Sequence, residues 1–501
     1  MVCVIGAGIA GLTLATRFAS RGITVHVLEA GGLELEERSQ ALYATEQPAD
    51  IHHGAHEGRF RTFGGSSVRW GAQLLPYTED IFSPPHGSPS RPWPITESEV
   101  RPYYEEIQKI FGTDLLPFDG GLLAALGHPA VAFSPEINLR YSKWAPFSKR
   151  NLANTLGKEA LEHSKITVFT HANTASMEGA GGSVQTARVL NYAGEEFIFS
   201  ARHFIIAAGT IESSRLLLSS PGVPNPYDQL GRYFHDHLSF QAGKFTSPGR
   251  EMICERLGPF VVDGTLHTCK LEASAETRTR EGLYAAMAHV VVIEPEDSGP
   301  AAVRTLLRFV QAGQSTKAVA ANFLPMLRGA ADVIRLILYA RFKRRRAISD
   351  RAQVQLNVDV EQSPDPDNRI QLSAKCDALG LPVAIVQWRV NQAEQDTAIR
   401  FASLIRAELE SLGMAPSSWD GSLQGEIASP LVDQYHAMGG LCMGVEPTQS
   451  VVDPDLKVHG LSNLHVASCA VFPSGGSSNP TFTMMALAMR LVDHLSATLL
   501  A

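Results

Sequence analysis

The stretch Val2-Cys-Val-Ile-Gly6-Ala-Gly8-Ile-Ala-Gly11 constrains this chain more than any other. Val2 to Ile5 is an apolar run suited to a strand buried within a parallel sheet. The residues after Gly11 have helical spacing, with Leu12, Ala15 and Phe18 on one face. The three glycines between strand and helix answer three steric demands. Gly6 permits the tight turn, Gly8 lets backbone approach a pyrophosphate, and Gly11 lets the helix lie close on the strand. The N-terminus of the helix then receives phosphate. A second apolar strand from Thr24 ends on Glu29, 18 residues after Gly11. A carboxylate there can accept hydrogen bonds from both ribose hydroxyls. Because it disfavours a 2′-phosphate, the cradle predicts FAD or NAD rather than NADP. A glycine-rich turn alone is weak evidence. Its place between strand and helix, followed by Glu29-Ala-Gly31-Gly32, is what predicts an adenine dinucleotide.

Such a cradle needs a partner domain, and 501 residues exceed the size at which a single core stops growing. A net charge of −8 gives no electrostatic reason to expect nucleic acid. The six cysteines show no C-x-x-C and no His/Cys spacing of the zinc-binding kind, so buried, reduced thiols and no metal are expected. His52, His53 and His56 read as a loop without acid or thiol partners, and His459 and His465 as surface or strand residues. There is neither a signal peptide nor an apolar run near the length of a membrane span. The expected location is cytoplasmic, an expectation weakened by a chain that opens directly in its first strand.

Two further segments carry chemistry. In Arg59-Phe-Arg-Thr-Phe-Gly64-Gly65-Ser66-Ser67-Val-Arg69-Trp70, paired glycines bring backbone N–H groups near a ligand, serines add hydroxyls, and Trp70 supplies a flat apolar wall. Near the C-terminus, His436 lies in His436-Ala-Met-Gly439-Gly-Leu-Cys-Met-Gly444, and Asn479 follows 43 residues later in Gly475-Gly-Ser-Ser-Asn479-Pro480-Thr481. Alcohol oxidation needs the hydroxyl proton to leave as hydride departs from the adjacent carbon. A neutral imidazole suits that abstraction, and an uncharged amide can orient the oxygen without competing for the proton. Asn479 also reads as the N-cap of a terminal helix with Pro480 in its first turn.

These segments together resemble the glucose-methanol-choline (GMC) oxidoreductase family. Further matches are Arg91-Pro-Trp93-Pro94-Ile-Thr, Pro102-Tyr103-Tyr104, the run Phe204 to Gly209, and Leu230-Gly231-Arg-Tyr-Phe-His-Asp236-His237. The Trp-Pro-Ile and Pro-Tyr-Tyr elements are most similar to the branch of pyranose oxidases and bacterial sugar dehydrogenases. The resemblance implies an α/β fold: a Rossmann-like FAD-binding domain with a second, largely antiparallel-sheet substrate domain. It implies FAD contacts at Gly6, Gly8, Gly11, Glu29, Gly64, Gly65, Ser66, Ser67, Gly209, Ser468 and Pro480. Many members carry Asp where this chain has Ser468. Non-covalent FAD follows because Arg69 stands where some pyranose oxidases carry a flavin-linked histidine. Oxidation of a sugar, aminosugar or other alcohol by hydride transfer to flavin N5 is implied, with His436 as general base, Asn479 as its hydrogen-bonding partner, and His237 as a structural residue. Two other readings remain open: a non-redox FAD-containing lyase of the same fold, or the flavin subunit of a membrane- or cytochrome-linked dehydrogenase.

The expected division is FAD-binding domain at 1–77, 151–235 and 431–501, lid and connector at 78–150, and substrate domain at 236–430. Residues 78–150 lack a long hydrophobic period. The alternating runs Tyr284–Ile293 and Gln353–Glu361 read as strands of the substrate sheet, joined by Asn368–Ser373 and Pro382–Trp388. Residues 301–346 read as helix ending in the basic Arg341–Arg346 cluster, either an ordinary helical lid or a peripheral membrane contact. The electron acceptor stays open among oxygen, a quinone and a cytochrome.

Overall fold

The computed structural model describes residues 1–127, 131–311, 330–338, 348–420 and 430–500. Its first sheet is parallel, in the order Leu464–Val466, His203–Ile206, Val2–Ile5, Val25–Leu28, Ile166–Phe169. The central strand Val2–Ile5 is buried at every position, as its unbroken apolar sequence requires. The helix Ile9–Ser20 covers one face, with Leu12, Ala15 and Phe18 wholly buried. The C-terminal helix Thr481–Leu499 packs between Ile9–Ser20 and the helix Glu97–Phe111. Both ends of the chain therefore meet in one core.

The second sheet has nine strands, with Ser418–Trp419, His237–Phe245, Gln353–Glu361, Ala286–Ile293, Thr265–Ala273, Ile137–Trp144 and Gln73–Leu74 in order; Phe260–Val262 and Val432–Asp433 pair alongside. All its pairings are antiparallel. Strand period two divides its faces. Val354, Leu356, Val358 and Val360 join an apolar core with Phe401, Ile405 and Leu409 of the helix Gln392–Ser411. Asn357, Asp359 and Glu361 turn to the opposite face. The fold is thus a Rossmann-like parallel sheet joined to a large antiparallel one.

Several local expectations are corrected. Residues 78–150 contain the helix Glu97–Phe111, opened by a capping box between Thr96 and Glu99, and the strand Ile137–Trp144. Pro102 inside that helix breaks its local propensity, but buried Val100, Tyr104, Ile107 and Phe111 hold it to the core. Arg369–Cys376 and Pro382–Gln387 do not join the large sheet; they pair with each other and with Thr45–Glu46 in a separate sheet. Asn479 is not a helix cap, since the terminal helix starts at Thr481 with Pro480 at its N-cap. Helices Gly299–Gln311 and Ala330–Leu338 are present in the 301–346 region, whereas Arg341–Arg346 lies outside the described residues. Among the described residues no helix is long and apolar enough to cross a membrane.

Candidate active site

A cavity of about 1350 Å³ lies between the two sheets, larger than the roughly 300–1,000 Å³ of a site for one small ligand. One end is glycine-lined. Gly6 has φ +102°, and a Cβ there would meet the Ala207 carbonyl oxygen at 2.6 Å. Gly8 and Gly65 press together so closely that a Cβ on Gly65 would stand 2.9 Å from the Gly8 Cα. Gly8 leads into the helix Ile9–Ser20 without a side-chain cap, so its first-turn N–H groups stay available. The buried Glu29 carboxylate accepts from Ala7 N at 2.7 Å and Gly31 N at 2.8 Å, which fixes it at the end of its strand. Gly209, φ +78°, opens the helix Thr210–Leu218 on the same wall.

Gly6, Gly8, Glu29, Gly65, Ser66, Gly209, Ser468 and Pro480 all line this cavity. Gly11, Gly64 and Ser67 stand behind it. A Cβ on Gly11 would lie 1.9 Å from the Gly6 carbonyl oxygen, a packing role. Ser67 is turned inward, its hydroxyl donating to Gly64 O at 2.6 Å and accepting from Leu152 N at 3.0 Å. The Ser468 hydroxyl accepts from Ala470 N at 3.3 Å. Side-chain-free walls, an open helix N-terminus and a fixed acid make a cradle that fits the adenosine diphosphate half of FAD.

The other end holds His436, half-buried with its open edge toward the cavity. Its Nε2 lies 2.9 Å from Asn479 Nδ2, and its Nδ1 lies 2.9 Å from His237 Nδ1. The far nitrogen of His237, Nε2, lies 3.1 Å from the Gly475 carbonyl oxygen. That contact decides the protons of the whole row. A carbonyl only accepts, so His237 carries its proton on Nε2 and offers a lone pair at Nδ1. His436 must then donate from Nδ1, which leaves its Nε2 lone pair to accept from Asn479. His237 is therefore in direct contact with His436.

Beneath this row is Asp236, wholly buried. Its Oδ1 accepts from the backbone N–H of His237 at 2.6 Å, Gln434 at 3.2 Å and His436 at 3.0 Å. Its Oδ2 is 3.0 Å from His52 Nε2. Burial opposes ionisation of Asp236, yet the hydrogen bond with His52 and the nearby imidazoles hold its pKa below the ordinary value. His52 and His53 thus have acid partners, contrary to the sequence reading, because Asp433 accepts from His53 N and Gly54 N and lies 2.8 Å from His53 Nδ1. Burial first, then neighbouring His237, pushes the His436 pKa down to about 4 against the pull of Asp236 and Asp359. The ring is neutral at physiological pH, the form that can take a proton. Asp236, His52 and Asp433 gave one signal in sequence, the Asp-His pair at 236–237; His52 and Asp433 gave none, since only tertiary contact joins them.

The large sheet roofs this end with Thr268, Lys270, Met287, His289 and Asp359. Sequence alone marked none of these side chains, although the alternation of Gln353–Glu361 did place Asp359 on the non-core face.

The chain is similar to known proteins along its length. A family profile described as GMC oxidoreductase matches residues 364–488, and one described as NAD(P)-binding Rossmann-like domain matches residues 4–74. The fructose dehydrogenase large subunit of Gluconobacter japonicus is 23% identical over 99% of this chain and 97% of its own length. The 6'''-hydroxyparomomycin C oxidase of Streptomyces lividus is 23% identical over 99% of this chain and 92% of its own. Among solved structures, pyridoxine 4-oxidase from Mesorbium loti aligns with a TM-score of 0.56 at 15% identity, covering 98% of each chain, which speaks for the fold. With a glycine cradle that fits FAD, a GMC oxidoreductase profile over residues 364–488 and a likeness along its whole length to a dehydrogenase and an oxidase, the chain is similar to the GMC oxidoreductases and is an FAD-dependent oxidoreductase of CH–OH groups.

Proposed function

We propose that this protein oxidises one CH–OH group of a sugar, aminosugar or related alcohol, with His436 as general base and Asn479 as the group that orients the reacting hydroxyl. The observation that carries this reading is the directed row Gly475 O, His237, His436, Asn479, which leaves the His436 Nε2 lone pair at the cavity wall. FAD, held non-covalently in the glycine-lined end, supplies the acceptor for the two electrons and hydrogen that leave the substrate carbon.

The protein's own part is placement and proton transfer. A substrate hydroxyl that enters between His436 and Asn479 exchanges the Nδ2 to Nε2 hydrogen bond for two of its own. Its proton passes to His436 Nε2, and an Asn479 N–H donates to the oxygen as negative charge grows on it. The resulting imidazolium keeps its Nδ1–H bond to His237 and is stabilised by the buried Asp236 carboxylate beneath. Asp236 also anchors the backbone of both histidines, so their spacing is set by one carboxylate.

General-base help is worth roughly 10²–10⁴-fold. A His436→Ala holoenzyme is expected to keep its yellow absorbance while anaerobic flavin bleaching by its best alcohol slows by about that factor. Bleaching at the wild-type rate would remove His436 from this role. A wild-type holoenzyme that no sugar or alcohol bleaches would refute the oxidation itself.

A further inference from the structure

The sheet face above His436 carries one side chain for which the described residues supply no partner. Register puts Leu271 opposite Ala288 and Met287 opposite Asp359. By the period of two, Thr268, Lys270, Met287, His289 and Asp359 share a face, and all five line the cavity. The carboxylates here have side-chain partners of their own. Glu272 is 3.1 Å from Arg140 Nη1, and Asp359 Oδ2 is 3.2 Å from His289 Nδ1. Lys270 differs. It is 3% exposed, yet among the described residues its Nζ makes no hydrogen bond and no ion pair within 4 Å, and what exposure remains opens on the cavity.

An ammonium removed from water without an acceptor is costly, so a buried lysine is kept where something completes it. Burial pushes the Lys270 pKa down and nearby Asp359 pulls it back. Lys270 and His436 line the same cavity, and the lysine charge is among the causes that hold the His436 pKa low.

We infer that Lys270 is a specificity-determining residue that donates to a second oxygen of the substrate, so that the substrate class is a neutral polyhydroxylated compound, a sugar or polyol. This deepens the oxidoreductase reading above and rests on it. A monohydroxy alcohol leaves the ammonium buried and unpaired, and sites built to bond a hydroxyl reject analogues that lack it. An amine on the adjoining carbon meets like-charge repulsion from Lys270.

The test uses holoenzyme and anaerobic flavin bleaching, with D-glucose, D-fructose and sorbitol set against 1-propanol, cyclohexanol and D-glucosamine. Saturation curves separate apparent binding from limiting rate, and flavin absorbance per chain is measured alongside. In the wild type the neutral polyhydroxy compounds are expected to lead. In Lys270→Met their advantage over the monohydroxy alcohols should fall roughly 10²-fold, mainly through weaker binding. Lys270→Gln, which retains a donor, should recover part of the loss. A wild-type preference for monohydroxy alcohols or glucosamine, or an unchanged preference in Lys270→Met, overturns the inference. So does loss of flavin from both variants, which would make Lys270 a cofactor or folding residue. A flavin-loaded wild type that none of the compounds bleaches refutes instead the oxidation on which the inference stands.

Discussion

Replacing His237 by Leu removes the acceptor that sets the proton position on His436, and its cost can be worked from the geometry. In the wild type, the His436 Nδ1–H donates to His237 Nδ1 at 2.9 Å, and the Gly475 carbonyl holds His237 in the tautomer that permits this. Leucine offers no lone pair. The His436 Nδ1–H is then buried without a partner, a state that costs about 1–3 kcal/mol. The ring escapes that cost by moving its proton to Nε2, where the proposed general-base step needs the lone pair. The productive tautomer is therefore depleted by the same free energy, roughly 5–150-fold. The outer bound is about 10⁴-fold, the penalty seen when the base of a hydrolase is held in the wrong tautomer. Because the glycine cradle is not touched and the change acts on the proton of His436, the loss should fall mainly on the limiting rate of anaerobic flavin bleaching. Flavin content and half-saturating substrate concentration should change little. A limiting rate within about threefold of wild type, with flavin content unchanged, would show that the His436 tautomer is set by something other than His237.

Two further outcomes follow from the same site. The acid limb of kcat/KM reports His436 in the free enzyme. Its pKa is pushed down to about 4 from an ordinary 6.5, and the active form is the unprotonated one, so activity should hold as pH falls through 6.5 and decline only near about 4. A limb at the ordinary histidine value in a pH-rate profile would contradict this burial-driven shift. Gly65→Ala puts a methyl 2.9 Å from the Gly8 Cα at a φ of +53°, and left-handed backbone costs a non-glycine residue about 1–3 kcal/mol. The purified variant should bind FAD roughly 5–150-fold more weakly in a titration of apoprotein with FAD; unchanged affinity would mean that the Gly8 and Gly65 contact does not form the cofactor wall.

Flavin-cradle chemistry was legible because it is local. The turn at Gly6, the packing at Gly11 and the acid at Glu29 are steric and electrostatic consequences of residues close in sequence, and they read the same way in any context. The loops of His436 and Asn479 were legible as polar groups in glycine-rich turns. The helix Glu97–Phe111 was not, because Pro102 lowers local propensity and tertiary burial of Tyr104 and Phe111 overrides it. Nor was the separate sheet of Arg369–Cys376 and Pro382–Gln387, since edge pairing with Thr45–Glu46 has no local signature.

The sequence by itself determined the adenine-dinucleotide end, the family likeness and the two residue types suited to alcohol oxidation. Only the tertiary structure decided which nitrogen of His436 is free, because that depends on a histidine 199 residues away and a carbonyl 238 residues beyond that histidine. Only strand register decided that Lys270 faces the cavity, without a partner among the described residues. Short-range sterics act within a few bonds and are written in the order of residues, whereas proton placement and charge pairing depend on distances that exist only once the sheets have closed around the cavity.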